Sequence, residues 1–177
     1  MKKHELLTDL TDCFRQYGYE GVTLSLISKK TGLGKASLYH HFPNGKEEMA
    51  IDIVEDIMLK IKNTQKEIED RELNPKDSLK EFLNFLSEFY DNGKKTCIID
   101  VLSLESTPKK IIHNVQIVLK TLLEYFEFLF KRLGYNPKKS HEKSKETLIL
   151  IQGALVLTRS FNDESAFIYA IEKIKSF

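Results

Sequence analysis

Apolar side chains recur along most of the chain at three- and four-residue steps, the spacing of a helix that turns one face inward. Leu6, Leu7, Leu10, Phe14 and Tyr17 set out a first amphipathic helix that stops at Gly18. Thr23 has the right side chain to cap a short second helix, which closes near Gly32. A third runs from Lys35 to His41 and is halted by Phe42-Pro43-Asn44-Gly45, where proline removes a backbone donor and Asn-Gly favours a turn. No run of two-residue alternation is long enough to suggest a sheet, so the expected class is all-α.

From Lys46 the elements lengthen. One helix is expected from Lys46 to about Glu69 on the stripe Met49, Ile53, Ile57 and Ile61. Asn74-Pro75 opens the next, with Leu79, Phe82, Phe85, Leu86 and Phe89 inward and an end near Asn92-Gly93. A short apolar helix over about Lys95 to Ser106 follows. Pro108 then opens a long one, carrying Ile112, Val115, Leu119, Leu122, Phe126 and Phe130 and closed by Gly134. Two more, about Pro137 to Phe161 and Glu164 to Phe177, bring the expectation to about nine. The change from short helices to rods marks a domain boundary without a flexible linker, between a head of residues 1–46 and a body of residues 47–177.

Composition narrows the class. At 41% hydrophobic and 30% charged residues the chain has the balance of a soluble globular protein. Its most apolar stretch, Leu148 to Leu157, is interrupted by Gln152 and falls short of the roughly 20 residues that span a bilayer. Met1 to Leu10 is charged and amphipathic rather than a signal peptide, so a cytoplasmic location is expected. Cys13 and Cys97 lie far apart with no histidine at ligand spacing, and His4, His113 and His141 stand singly; neither a disulfide framework, a metal site nor a cofactor is indicated. Charge is uneven. The first 46 residues carry Lys2, Lys3, Arg15, Lys29, Lys30, Lys35 and Lys46 against Glu5, Asp9, Asp12 and Glu20, so in a chain of formal charge +1 the remainder is mildly acidic. A basic head suits attraction to phosphate.

Two short helices joined through Thr31-Gly32-Leu33-Gly34 have the proportions of a helix-turn-helix, whose second helix enters the DNA major groove while the first crosses the backbone. Ile27, Leu38 and Phe42 are expected to pack inward, which leaves Lys35, Ser37, Tyr39, His40 and His41 facing out. Ser37 can exchange hydrogen bonds with bases or phosphates, Tyr39 can reach a phosphate, and the histidines offer ring nitrogens and apolar faces to base edges. Adjacent residues point to different faces, so one histidine is expected on DNA and the other packed or toward phosphate. Thr23 and Ser25 at the start of the preceding helix join the candidate DNA contacts. So does Lys46, whose ammonium and helix-terminal amides would favour a phosphate.

Phe14, Gly18-Tyr19, Thr23, Ile27, Thr31-Gly32, the run Gly34-Lys35-Ala36-Ser37-Leu38-Tyr39-His40-His41-Phe42 and Lys46-Glu47 together resemble the amino-terminal signature of the TetR family of bacterial repressors. The likeness covers about the first quarter of the chain. Phe42 to Glu48, with Gly153-Ala154-Leu155, Arg159 and Phe161, is further similar to a subgroup typified by the LmrA and YxaF regulators. Ser28 and Gly34 depart from the alanine and capping serine usual at those positions. The resemblance implies a homodimer on a palindromic duplex operator, most simply a repressor, released when a small molecule enters the larger domain.

That implied effector cavity would lie among the middle helices, with Phe82, Phe85, Phe89, Cys97 and Phe126 as candidates and a hydrophobic or aromatic molecule as the ligand class. The plainer reading of those aromatics is a core. Cys97 as a redox sensor is a further option, with only Lys94 and Lys95 near it in sequence to favour a thiolate. In the last two helices Leu148, Ile151, Leu155 and Thr158, then Phe167, Ala170, Ile171 and Ile174, form stripes wider than one chain needs, and they are the candidate dimer interface as a four-helix contact. Two rivals stand beside this reading: a DNA-binding regulator without a small-molecule effector, and an all-helical enzyme. No nucleophile-base pair, paired carboxylate motif, phosphate loop or HExxH sequence supports the second.

Overall fold

The computed structural model describes residues 3–177, with side chains from Glu5 onward; the side chains of Lys2, Lys3 and His4, counted above, lie outside that description. Among the described residues the fold is nine helices with no strand: α1 (Lys3–Gly21), α2 (Leu24–Thr31), α3 (Lys35–His41), α4 (Lys46–Asp70), α5 (Pro75–Phe89), α6 (Ile98–Val101), α7 (Lys109–Arg132), α8 (Pro137–Phe161) and α9 (Ser165–Lys175). Packing divides them into two units, Met1–Leu59 with Ile98–Val118, and Lys60–Cys97 with Leu119–Phe177. This division by packing falls inside α4 and α7, and α6 packs on α1 within the first unit.

In the first unit α1 packs on α2 and α6, and α2 on α3. Leu6, Leu10, Phe14, Val22, Ile27, Leu38, Phe42, Met49 and Ile53 are its buried centre. Each large apolar side chain fully buried there contributes about 1.5–3 kcal/mol. The end of α1 differs in detail from the expectation: Gly18 breaks the helical backbone at φ 68°, ψ 174°, but one further turn continues to Gly21. Thr23 caps α2 by accepting from the Leu26 amide at 3.2 Å, and Gly32 ends α2 in the left-handed conformation at φ 71°, which glycine adopts without a Cβ clash.

The second unit is built on aromatic contacts. Phe82 of α5 meets Tyr125 and Phe126 of α7 edge to face, with ring centres 4.7 and 5.4 Å apart. Asn74 and Asn136, each followed by proline, cap α5 and α8 by accepting from the amides of Asp77 and Lys139. Gly93, at φ 94°, lies so close to α9 that a Cβ there would sit 2.7 Å from the Phe167 Cβ. Arg132 closes the end of α7 onto the start of α5, donating to the Leu73 carbonyl at 2.8 Å and the Ser78 hydroxyl at 3.2 Å.

Three expectations shift. The helix foreseen over 95–106 survives only as α6, because Ser103 turns its hydroxyl back onto the Ile99 carbonyl and the chain from Leu102 to Thr107 runs through turns. Helix α5 stops at Phe89, where Asp91 and Asn92 take positive φ, and Phe85 and Phe89 are half-buried rather than inward. On α7 the inward stripe is Ile111, Val115, Val118, Leu122, Tyr125, Phe126, Leu129 and Phe130; Ile112 and Leu119 are half-buried.

Candidate nucleic-acid interface

Burial sorts the seven residues of α3. Leu38 is fully buried, as is Phe42 just past the helix, and these two anchor α3 to the head. Lys35, Ala36, Tyr39 and His40 are exposed, while Ser37 and His41 are half-buried. The two histidine rings meet edge to face, centres 5.7 Å apart; His41 also leans toward the Phe42 ring, centres 6.4 Å apart, and His40 is the more exposed of the two. Gly34 opens α3 with no side-chain cap, so the helix start is held by backbone alone: the Leu38 amide donates to the Gly34 carbonyl at 3.0 Å. The turn before it is fastened by the Leu33 amide donating to the Thr31 hydroxyl at 3.3 Å.

On α2, Thr23 and Ser25 are both exposed at the amino-terminal end. The Thr23 oxygen is occupied by its capping bond, so its free function toward a phosphate is as an O–H donor. Burial raises the Tyr19 hydroxyl above its ordinary pKa, with Glu47 and Glu20 adding to the effect, so it stays neutral beneath this face.

Lys46 is placed differently from the expectation. Its ammonium turns back onto the end of α1, donating to the Tyr19 carbonyl at 2.9 Å and sitting 4.3 Å from the centre of the Tyr19 ring. That carbonyl belongs to the last turn of a helix already interrupted at Gly18, where backbone acceptors lack helical partners. The lysine is therefore a staple between α1 and α4 first, and that bond uses one of the three N–H groups of its ammonium. The first turn of α4 is secured from the other side by Glu48, which accepts from the Asn44 amide at 2.7 Å.

The candidate effector residues are gathered only in part. Phe82 and Phe126 are fully buried against each other, Phe85 and Phe89 are half-exposed, and the Cys97 thiol lies 3.5 Å from the Tyr90 hydroxyl. The polar member that sequence reading missed is Tyr125: its ring is buried against Phe82 and its hydroxyl has no hydrogen-bonding partner. Burial first, and then the nearby Glu69 carboxylate, push that phenol up to about 12, so it remains a donor at neutral pH. An i+3, i+4 stripe of phenylalanines gives no hint that a neighbouring tyrosine is left unsatisfied.

The candidate dimer residues are placed differently from the expectation of an open stripe. Ile151, Leu155, Thr158, Phe167, Ala170, Ile171 and Ile174 are buried within this chain, where α8 and α9 pack on each other and α9 on α5; Leu148 is half-buried. The apolar surface left open on this helix pair is Ile149, Val156, Leu157 and Phe161 on α8 with Ile168 and Tyr169 on α9. Of these, Ile149, Leu157 and Tyr169 line a hollow of about 490 Å³ floored by Gly153, Ala154, Ala166 and Ala170. Helix α8 is apolar on both sides, so its periodicity does not distinguish the face buried within the chain from the face left open.

Among the described residues no helix is long and apolar enough to cross a membrane, and no cluster of metal-ligating side chains occurs. Residues 6–53 match the family profile described as bacterial regulatory proteins, tetR family. The chain is 27% identical over 176 residues to the helix-turn-helix-type transcriptional regulator YxaF of Bacillus subtilis, covering 97% of this chain and 92% of that one. It is 25% identical over 174 residues to the regulator LmrA of the same organism, covering 94% and 91%. Among solved structures, a TetR transcriptional regulator from Legionella pneumophila superposes with a TM-score of 0.89 at 20% identity, over 99% of this chain and 96% of that one.

Proposed function

Since the chain belongs to the TetR family of transcriptional regulators, we propose that it represses transcription as a homodimer that holds a pseudo-palindromic duplex operator and releases it when a small apolar or aromatic molecule binds the second unit. The observation that carries the DNA-binding part is α3 itself, anchored by Leu38 and Phe42 and presenting Lys35, Tyr39 and His40 to solvent. A helix fixed on one side and polar on the other, joined by a tight turn to a capped helix, is the geometry that enters a major groove. A dimer so placed covers about two successive turns of duplex and denies them to other proteins, which favours repression. The full chain, titrated onto duplex pools at low ionic strength in a gel-shift assay, is expected to retain a subset of sequences with two half-sites. Indifference to all duplex would end this reading.

The partner copy is proposed to seat on the α8–α9 surface. Phe161 and Ile149 are 74% and 71% exposed there, and projecting apolar side chains lie beside a floor of small residues, so the patch is complementary to its own two-fold copy. For release, the proposal is a population shift transmitted by α4. That helix starts five residues after α3 ends and runs through both units, so a ligand that prefers one setting of α4 also selects a setting of α3. The unsatisfied Tyr125 hydroxyl is the donor such a ligand would meet.

A further inference from the structure

The burial pattern of α3 also says which side chains lead into the groove. Leu38 and Phe42 mark its buried side. At about 100° per residue, His40 stands opposite their midpoint, Ala36 about 40° to one side of that outward line and Ser37 about 60° to the other. Tyr39 and His41, about 80° from the buried midpoint, flank the ridge. Ala36 and His40 are both exposed and lie one turn apart, so they form its crest. Gly34, just before, presents no side chain, and nothing lies within 4 Å of where its Cβ would be, so the approach to Ala36 is open.

A search for polar readers passes over an alanine, yet the major groove offers a partner for a methyl group. Thymine alone displays a methyl there, and apolar side chains contact it. The short side chain lies in the first turn of the helix, the part that comes nearest the base edges, and the longer imidazole reaches in one turn later. Four residues of helix rise about 6 Å while base pairs stack about 3.4 Å apart, which puts the two contacts within two base-pair steps.

We infer that Ala36 is a specificity-determining residue, packing its methyl on the 5-methyl group of a thymine in each half-site, beside His40, whose ring N–H donates to a purine N7 within two base pairs. This rests on the operator-binding reading above. It makes an unreactive, uncharged position part of the sequence code and restricts the half-site to a thymine with a purine close by.

The test replaces single groups on DNA. After selection of a duplex by the full chain, each thymine is exchanged in turn for deoxyuridine, which removes only the methyl, and affinity is measured by fluorescence anisotropy for wild type, A36G and A36S. Loss of one buried methyl corresponds to a weakening of about three- to fourfold. Wild type is expected to show that loss at one thymine per half-site, and A36G to bind its thymine and uracil duplexes equally. Comparing each variant with itself cancels the uniform cost of glycine in a helix, and A36S, which keeps a Cβ, covers the case of a poorly folded glycine variant. A 7-deazapurine within two base pairs of that thymine is expected to weaken wild type but not H40A. If wild type binds the selected duplex and no thymine-to-uracil exchange separates it from A36G and A36S, or the half-site holds no thymine, Ala36 is not a reader and DNA binding stands. If wild type selects no duplex at all, operator binding itself is refuted and this inference with it.

Discussion

Replacing Lys46 by methionine separates two uses of one ammonium group. Methionine keeps an unbranched stem and a similar helix propensity at the start of α4, so what is removed is the charge and its donors. Two interactions disappear: the 2.9 Å bond to the Tyr19 carbonyl and the contact with the Tyr19 ring at 4.3 Å. A hydrogen bond from a charged donor contributes about 1.5–3 kcal/mol, and a cation over an aromatic face at a site open to solvent about 0.5–1 kcal/mol. Lys46 is only half-buried, so solvent screening reduces the pair to about 1–2 kcal/mol. In a chain of this size that lowers the melting temperature by about 2–8 °C. Thermal unfolding of K46M followed by circular dichroism reads the staple. The dependence of operator affinity on salt reads the phosphate contact, since each neutralised phosphate adds about one unit to the log-log slope. The expected outcome is a clear loss of stability with less than a full unit change in slope. An unchanged melting temperature with the slope reduced by a full unit would show that the ammonium serves phosphate and that its return to Tyr19 holds nothing.

Gly93→Ala is expected to destabilise the chain by about 2–4 kcal/mol in urea titrations, because the left-handed backbone and the 2.7 Å approach to Phe167 both resist a Cβ; an unchanged midpoint would mean this loop and α9 are not so close. Tyr169→Glu charges a side chain that is 65% exposed on the α8–α9 surface; losing it from both copies removes about 2–4 kcal/mol of association, so sedimentation should show dimer association weakened roughly 30- to 1,000-fold with the monomer still folded. A dimer of undiminished strength would move the interface elsewhere. Tyr125→Phe should leave stability at neutral pH nearly unchanged, because the deleted hydroxyl has no partner. The wild type should lose stability as pH rises from about 10, where tyrosine ionises in the unfolded chain, through about 12, its folded value, since the folded state then holds a proton that the unfolded state has released; Y125F should lack that part of the alkaline loss, and identical alkaline profiles would refute the assignment. Glu127, held below the usual carboxylate range by hydrogen bonds from Lys131 and then His141, should lend support that is present at neutral pH and fades as pH falls through its lowered value; comparing E127Q with wild type in acid titrations checks it.

Much of the fold was legible because its punctuation is local. Thr23, Asn74 and Asn136 cap the helices they precede, Gly32 ends α2, and Pro75 and Pro137 open α5 and α8, each acting on the backbone within four residues of itself. The exposure of Lys35, Tyr39 and His40 was legible for the same reason, since Leu38 and Phe42 show which side is held, whereas Ser37 and His41 are half-buried. What could not be seen in one dimension is where a long side chain goes when a backbone group far along the chain lacks a partner. Lys46 lies 27 residues from Tyr19, and nothing in its neighbourhood announces that a broken helix end will capture it. Nor does the sequence distinguish a phenol with a partner from Tyr125 without one.

The register of α8 carries a different lesson. Helical periodicity identifies an inner face by contrast with a polar outer one, and α8 offers little contrast: Ile151, Leu155 and Thr158 are buried on one side while Ile149, Val156, Leu157 and Phe161 lie open on the other. A helix that is apolar around its circumference is one that finishes buried. Within the chain, α9 covers only the first side. Polar residues such as Ser140 and Ser144 sit on the buried face, their hydroxyls satisfied by the Tyr135 and His141 carbonyls, so the inward side is no more apolar than the outward one. Selection for a soluble monomer would have made the open side polar at little cost to packing. Its retention of large aliphatic and aromatic groups beside a floor of glycine and alanine is the physical argument for the proposal that a second copy covers this face.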